Sequence, residues 1–104
     1  MVFIETKIFT RLLAGYLDDE AYRGLQVHLA ERPDAGAVIR GSGGIRKIRW
    51  AASGRGKSGG VRVIYYWLTA DDQILFLTLY GKNEKGDLSD ADLKAIAILI
   101  EGLK

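Results

Sequence analysis

Residues Ile45 to Leu68, IRKIRWAASGRGKSGGVRVIYYWL, contain two apolar stretches joined by a loop rich in glycine and basic residues. β-branched and aromatic residues fill both stretches, which is typical of strands. A third stretch of this kind, QILFLTLY from Gln73 to Tyr80, follows after the short connection TADD. Connections of this length join antiparallel neighbours, so the sequence predicts an antiparallel meander of three strands.

The loop from Ala51 to Gly60 matches a relaxed nucleotide phosphate-binding motif, in which a small residue is followed by Gly56, Lys57 and Ser58. Such a motif binds phosphate through backbone N–H groups at the start of a helix. A strand follows the loop here instead of a helix. The sequence therefore does not favour nucleotide binding, and the basic character of the loop needs another explanation.

The segments on either side of the meander predict one more strand and three helices. The run VFIE at residues 2–5 is suited to a strand. The predicted helix boundaries are Thr6 and Gly15 for the first helix, Asp18 and Pro33 for the second, and a capping box of Ser89 and Asp92 for the last. The order βααβββα predicts an α+β fold, with a helical hairpin and a C-terminal helix packed on one face of a small, mainly antiparallel sheet.

Length and composition exclude several classes of protein. A chain of 104 residues is expected to form one domain. With no cysteine and one histidine, disulfides and structural zinc sites are excluded. No apolar run approaches the roughly 20 residues that span a membrane, and no secretory signal is evident, so we expect a soluble, cytoplasmic protein.

The charge is unevenly distributed along the chain. The segment from Gly36 to Ala70 has seven basic residues and no acidic one, whereas the remainder has a net charge of −5. The basic residues of this segment are Arg40, Arg46, Lys47, Arg49, Arg55, Lys57 and Arg62. Such a concentration predicts a positive surface for phosphate backbones, the alternative being a merely solvated surface.

Side chains alternate between the two faces of a strand, so Lys47 and Arg49 share one face and Arg46 points to the other. In the antiparallel partner strand, Arg62 can lie near Arg49 across the hairpin. Like charges that face each other destabilise a sheet. A sheet that gathers these three cations is therefore expected to bind a polyanion.

Cations alone are sufficient to cleave RNA, because the 2′-hydroxyl of RNA is itself the nucleophile. Arginine can hold the phosphate and stabilise developing charge, and lysine among other cations can transfer protons. Lys82 and Lys85, just beyond Tyr80, can extend the cluster. His28 is not favoured as a general base, because it lies in the second predicted helix, remote in sequence from the basic strands. One aromatic residue on the cationic face could stack a base.

Three motifs, GSGGIRKIRWA, GRGKSGGVRVIYYW and LTLYGKNEKGDLS, occur in the order found in one family of toxins. In these motifs the chain resembles the RelE/HigB family of type II toxin–antitoxin toxins, in particular its HigB-like branch. The resemblance covers nearly the whole chain. It implies a single toxin domain over residues 1–104 with the fold order predicted above.

The resemblance implies an mRNA endonuclease that cuts in the ribosomal A site and is neutralised by a helix-turn-helix antitoxin. Lys47, Arg49 and Arg62 match the basic positions of the family, and Lys82 is the next basic position along the chain. The catalytic set is therefore Lys47, Arg49, Arg62 and Lys82, with no metal and no cofactor. The further RNA contacts are assigned to Arg46, Arg55, Lys57 and Lys85.

Two questions stay open at this point. Lys82 is followed by Asn83, where the better-known RelE branch has an arginine, so either Lys47 or Lys82 could handle protons, with Lys85 as a substitute. Toxins that poison DNA gyrase share the fold, so a non-enzymatic module that blocks the ribosome or gyrase is the alternative function. We expect Arg55 and Lys57 in the basic loop to clamp phosphates of ribosomal or messenger RNA and to contribute little to chemistry.

Overall fold

The computed structural model describes residues 1–51, 60–82, 84 and 89–102. Within these residues the α+β prediction is confirmed. The elements in chain order are β1 (Val2–Glu5), α1 (Lys7–Leu13), α2 (Asp19–Glu31), β2 (Ala37–Val38), β3 (Arg46–Trp50), β4 (Val61–Leu68), a 3₁₀ turn (Thr69–Asp71), β5 (Gln73–Gly81) and α3 (Asp90–Glu101). Strand β2 was not predicted, because two residues are too few to show a periodic pattern.

The sheet has the strand order β1-β5-β4-β3-β2. Strand β1 pairs with β5 in parallel, and the other three pairs are antiparallel. The prediction of a mainly antiparallel sheet built on a β3-β4-β5 meander is therefore confirmed. The central strands β4 and β5 are the longest, and they carry most of the buried side chains.

The predicted caps start the helices. The Thr6 hydroxyl accepts the N–H of Phe9 and donates to the Leu77 carbonyl at 2.8 Å, which ties the start of α1 to β5. Asp18 caps α2, and Ser89 forms the capping box of α3 with Asp92. These side chains accept N–H groups that have no partner within the helix.

The helices cover both faces of the sheet, so the prediction that they pack on one face is wrong. Buried residues of α1 and α2 form one cluster with Val61, Val63 and Tyr65, whereas Ile100 of α3 forms a second cluster with Ile64 and other residues. The physical reason lies in β4, where VRVIYYWL is apolar at nearly every position. A strand that is apolar on both faces must be covered on both.

A β-bulge at Ile64/Tyr65 interrupts the pairing of β4 with β5. Beside it, the buried Tyr65 hydroxyl accepts the N–H of Gly36 at 2.8 Å and donates to the Pro33 carbonyl at 2.9 Å. A β-carbon on Gly36 would lie 2.8 Å from the Tyr65 ring. Only glycine therefore fits here, and the connection from α2 to β2 is held against the sheet.

Candidate functional site

Three strands place Arg49, Arg62 and Tyr80 in one row. The register of the sheet pairs Arg49 directly with Arg62 and Arg62 directly with Tyr80. Residues paired in this way project from the same face of the sheet. The predicted approach of Arg49 to Arg62 across the β3-β4 hairpin is thus confirmed as a direct cross-strand pair.

Lys47 belongs to the next row on the same face. It pairs with Ile64, which in turn pairs with Thr78. We call Lys47, Arg49 and Arg62 the basic cluster. Arg49 is exposed, while Lys47 and Arg62 are half-buried, so parts of two of the cations are held against the sheet. Charges at such positions interact more strongly with a ligand than fully hydrated charges do.

The orientation of β3 is fixed by its last residue, Trp50. The indole N–H of Trp50 donates to the Ala21 carbonyl of α2 at 2.9 Å. Its ring reaches α2 beside Gly24, where a β-carbon would lie 3.4 Å from the ring. Because Trp50 is directed to α2, its neighbour Arg49 must project from the opposite face.

The predicted RNA contact Arg46 lies on the face opposite to the basic cluster. It alternates with Lys47 along β3 and pairs with the core residue Tyr65. Its guanidinium donates to the carbonyl oxygens of Asp34 at 3.2 Å and Gly36 at 2.8 Å. The structure therefore does not bring Arg46 into the cluster, and its contacts support the connection between α2 and β2 instead.

His28 is also on the far side of the sheet from the basic cluster. Its ring packs against Trp50, with the ring centroids 5.3 Å apart. His28 therefore does not belong to the group of side chains that surrounds Arg49 and Arg62. Within the described ranges, no three histidine, cysteine, aspartate or glutamate side chains come close enough together to hold a metal ion.

Sequence reasoning missed Tyr80 as the aromatic neighbour of Arg62 on the cationic face. Counted back from the TADD turn, a regular ladder pairs Arg62 with Leu79. The bulge shifts the register by one residue, so that Arg62 pairs with Tyr80. A bulge of this kind has no signature in the strand pattern. Tyr80 is half-buried and packs against the second core cluster.

Lys82 lies just beyond β5 and is exposed. Close to it, the Glu84 carboxylate accepts hydrogen bonds from the Tyr16 hydroxyl and from the N–H of Gly81, both at 2.5 Å. The hydrogen bond from Tyr16 is the largest cause of the lowered pKa of Glu84, and the bond from Gly81 is the next. The hydrogen bond between Tyr16 and Glu84 also raises the pKa of Tyr16. The other predicted contacts, Arg55, Lys57 and Lys85, lie outside the described residues.

No helix in the described part of the chain is long and apolar enough to cross a membrane. A family model described as "RelE toxin of RelE / RelB toxin-antitoxin system" matches residues 6–103. The match includes α1, α2, the meander with the basic cluster, and α3. Because it covers almost the whole sequence, it is not limited to one motif. The chain therefore belongs to the RelE family of toxins, which act in toxin–antitoxin systems.

Proposed function

We propose that this toxin is a ribosome-dependent mRNA endonuclease of the HigB-like branch, which cuts messages in the ribosomal A site. Toxins of the RelE family generally inhibit translation as mRNA interferases and are paired with an antitoxin. We propose in addition that this toxin depends on the ribosome, belongs to the HigB-like branch and cleaves RNA by the mechanism given below. A single domain over residues 1–104 in the cytoplasm, neutralised by a helix-turn-helix antitoxin, completes the proposal.

The observation that carries the proposal is the direct pairing of Arg49 with Arg62. Like charges opposite each other on a sheet are unfavourable, by roughly 0.2–1 kcal/mol per pair. Lys47 on the same face adds to the repulsion. An anion bound between these side chains attracts both guanidinium groups and so offsets their repulsion. A phosphodiester fits the planar donor groups of two arginines.

The basic cluster can support a cleavage reaction in which the 2′-hydroxyl of the RNA is the nucleophile. Lys47 or Lys82, in its neutral amine form, accepts the proton of this hydroxyl, whose oxygen attacks the adjacent phosphorus. The bond from phosphorus to the 5′ oxygen of the next nucleotide then breaks, and that oxygen takes up a proton from water. The products are a 2′,3′-cyclic phosphate and a 5′-hydroxyl. Arg49 and Arg62 stabilise the extra negative charge that the phosphate gains in the transition state.

Cations around the cluster are proposed to hold the RNA without taking part in the chemistry. Arg55 and Lys57 in the β3-β4 loop, together with Lys85 beyond β5, extend the basic surface in sequence. Phosphate contacts of this kind set the position and affinity of a nucleic acid and add no sequence information. Tyr80 adds an aromatic side chain beside Arg62, where it can contact a base or ribose of the bound RNA.

Expression in growing cells followed by primer extension of cellular mRNA tests the proposal. The wild type is expected to arrest growth and to create new 5′ ends aligned with codons. The Lys47→Ala/Arg62→Ala variant should do neither. A control that removes two exposed cations from the helical layer on the opposite face, Arg11→Ala/Arg23→Ala, should behave like the wild type.

Two outcomes would contradict the proposal. If the Lys47→Ala/Arg62→Ala variant is as toxic as the wild type and leaves the same 5′ ends, the basic cluster is not the site. If the wild type arrests growth without new 5′ ends, the protein is a non-enzymatic module that blocks the ribosome or gyrase.

A further inference from the structure

We propose that Tyr16 and Glu84 are positioning residues, which fix the direction of Lys82 toward RNA bound at the basic cluster. This inference rests on the proposed function. It concerns the point where the chain leaves β5, immediately after Tyr80, and it adds two residues that carry no positive charge to the machinery of the site.

The geometry at this point is a closed turn. The N–H of Glu84 donates to the Gly81 carbonyl at 3.2 Å, while the N–H of Gly81 donates back to the Glu84 carboxylate. Lys82 follows Gly81 directly, at the first corner of this turn. Its backbone direction is therefore set by the position of Glu84.

Tyr16 connects the turn to the helical layer. It lies between α1 and α2, is half-buried, and packs against the first core cluster. A β-carbon on Gly81 would lie 3.6 Å from the Tyr16 ring, so the ring lies close to the end of β5. Its hydroxyl donates to Glu84, a residue 68 positions away in sequence. The core thereby holds a turn in which Lys82 and Glu84 are exposed.

The expected contribution to stability is small and the expected contribution to orientation is large. A hydrogen bond to an exposed side chain adds little to the free energy of unfolding, because water replaces it in the unfolded chain. Orientation has a stronger effect, since misplacing a catalytic group by about 1 Å can cost about a hundredfold in rate. Lys82 needs such support because its side chain is long and exposed.

The direct test compares Tyr16→Phe with Tyr22→Phe in cleavage of mRNA on the ribosome. The Tyr22 hydroxyl also donates to a glutamate, Glu5, but at the β1 side of the sheet, so its variant removes a matched bond away from Lys82. We expect Tyr16→Phe to lower kcat by at least about tenfold with little change in KM, because the RNA contacts remain. Tyr22→Phe should keep the wild-type kcat.

Two NMR measurements examine the turn without relying on activity. The lowered pKa of the Glu84 carboxyl should rise in Tyr16→Phe, because its largest cause is removed. The hydrogen bond from Tyr16 favours the charged carboxylate of Glu84, so it is complete above the ordinary pKa of glutamate and is lost as the pH falls through the lowered pKa. The order parameter of the Lys82 amide should fall in Tyr16→Phe and stay unchanged in Tyr22→Phe.

The outcomes separate this inference from the proposed function. Unchanged kcat in Tyr16→Phe overturns the positioning role, even if the wild type cleaves mRNA as proposed. An unchanged Lys82 order parameter overturns it as well. If the wild type cleaves no mRNA, the proposed function fails, and the NMR measurements still decide whether Tyr16 and Glu84 hold Lys82 in place.

Discussion

Arg49 and Arg62 oppose each other across the β3-β4 hairpin, in an arrangement that a sheet optimised only for stability would avoid. Arg46, three residues before Arg49 on β3, has the same charge but donates to two backbone carbonyls on the opposite face of the sheet. Of these two arginines of β3, Arg46 therefore stabilises the fold, whereas Arg49 faces a like charge that destabilises it. The contacts of Arg46 support the fold, whereas Arg49, opposite Arg62, is proposed to bind an RNA phosphate.

Arg49→Gln should remove most cleavage activity without destabilising the protein. Glutamine keeps much of the side-chain stem and removes the charge that faces Arg62. The free energy of unfolding should stay the same or rise by about 0.2–1 kcal/mol at low salt, and this gain should vanish at high salt. Urea unfolding at two salt concentrations, combined with the cleavage assay, measures both effects.

Arg46→Gln is the contrasting variant on the same strand. It weakens the bonds to the carbonyls of Asp34 and Gly36 and should lower the free energy of unfolding by about 1–2 kcal/mol. The affinity of the folded protein for RNA should not change. A stable Arg46→Gln protein that binds RNA poorly would show that Arg46 belongs to the RNA site and that the assignment by face is wrong.

At the scale of elements, Tyr65 and the bulge beside it decide how the meander is aligned. Tyr65→Phe leaves the N–H of Gly36 and the carbonyl of Pro33 without the hydroxyl that satisfies them. We expect the free energy of unfolding to fall by about 1–3 kcal/mol, because buried polar groups lose their partner. Chemical denaturation measures this loss, and a change below about 0.5 kcal/mol would mean that water replaces the hydroxyl.

The elements themselves were predictable because their signals are local. Caps such as Thr6 and Ser89, and runs of β-branched and aromatic residues, depend only on neighbours in sequence. Strand β2, the bulge and the coverage of both sheet faces depend on contacts distant in sequence. For that reason the hairpin in the sequence predicts that Arg62 approaches Arg49, whereas no local signal predicts the pairing of Arg62 with Tyr80.

At the scale of the molecule, a basic segment within a chain whose remainder has negative net charge creates an uneven electric field. Arg55 and Lys57 lie in the part of this segment outside the described residues, so their role is tested in solution. Arg55→Ala/Lys57→Ala should weaken ribosome binding and flatten its salt dependence, by about 0.7 to 0.9 in the slope of log affinity against log salt per lost phosphate contact.

The maximal cleavage rate should be unaffected in this loop variant, because the loop is proposed to bind and not to react. Binding measured over a range of salt concentrations, together with cleavage at saturating ribosomes, separates the two effects. Normal binding combined with much slower cleavage at saturation would place the loop in the active site. No change in either would make it a loop that is basic only for solubility.

In the proposed reaction the 2′-hydroxyl of the message is the nucleophile, and its attack is promoted by the basic cluster with Lys47 or Lys82 as the proton acceptor. The most direct measurement uses purified toxin and ribosomes programmed with a message in which single A-site nucleotides carry a 2′-deoxy sugar. We expect the all-ribose message to be cut, and a deoxy sugar on the 5′ side of the scissile phosphate to abolish cutting while the toxin still binds. Cleavage of that deoxy message at the rate of the all-ribose message would contradict the proposed reaction.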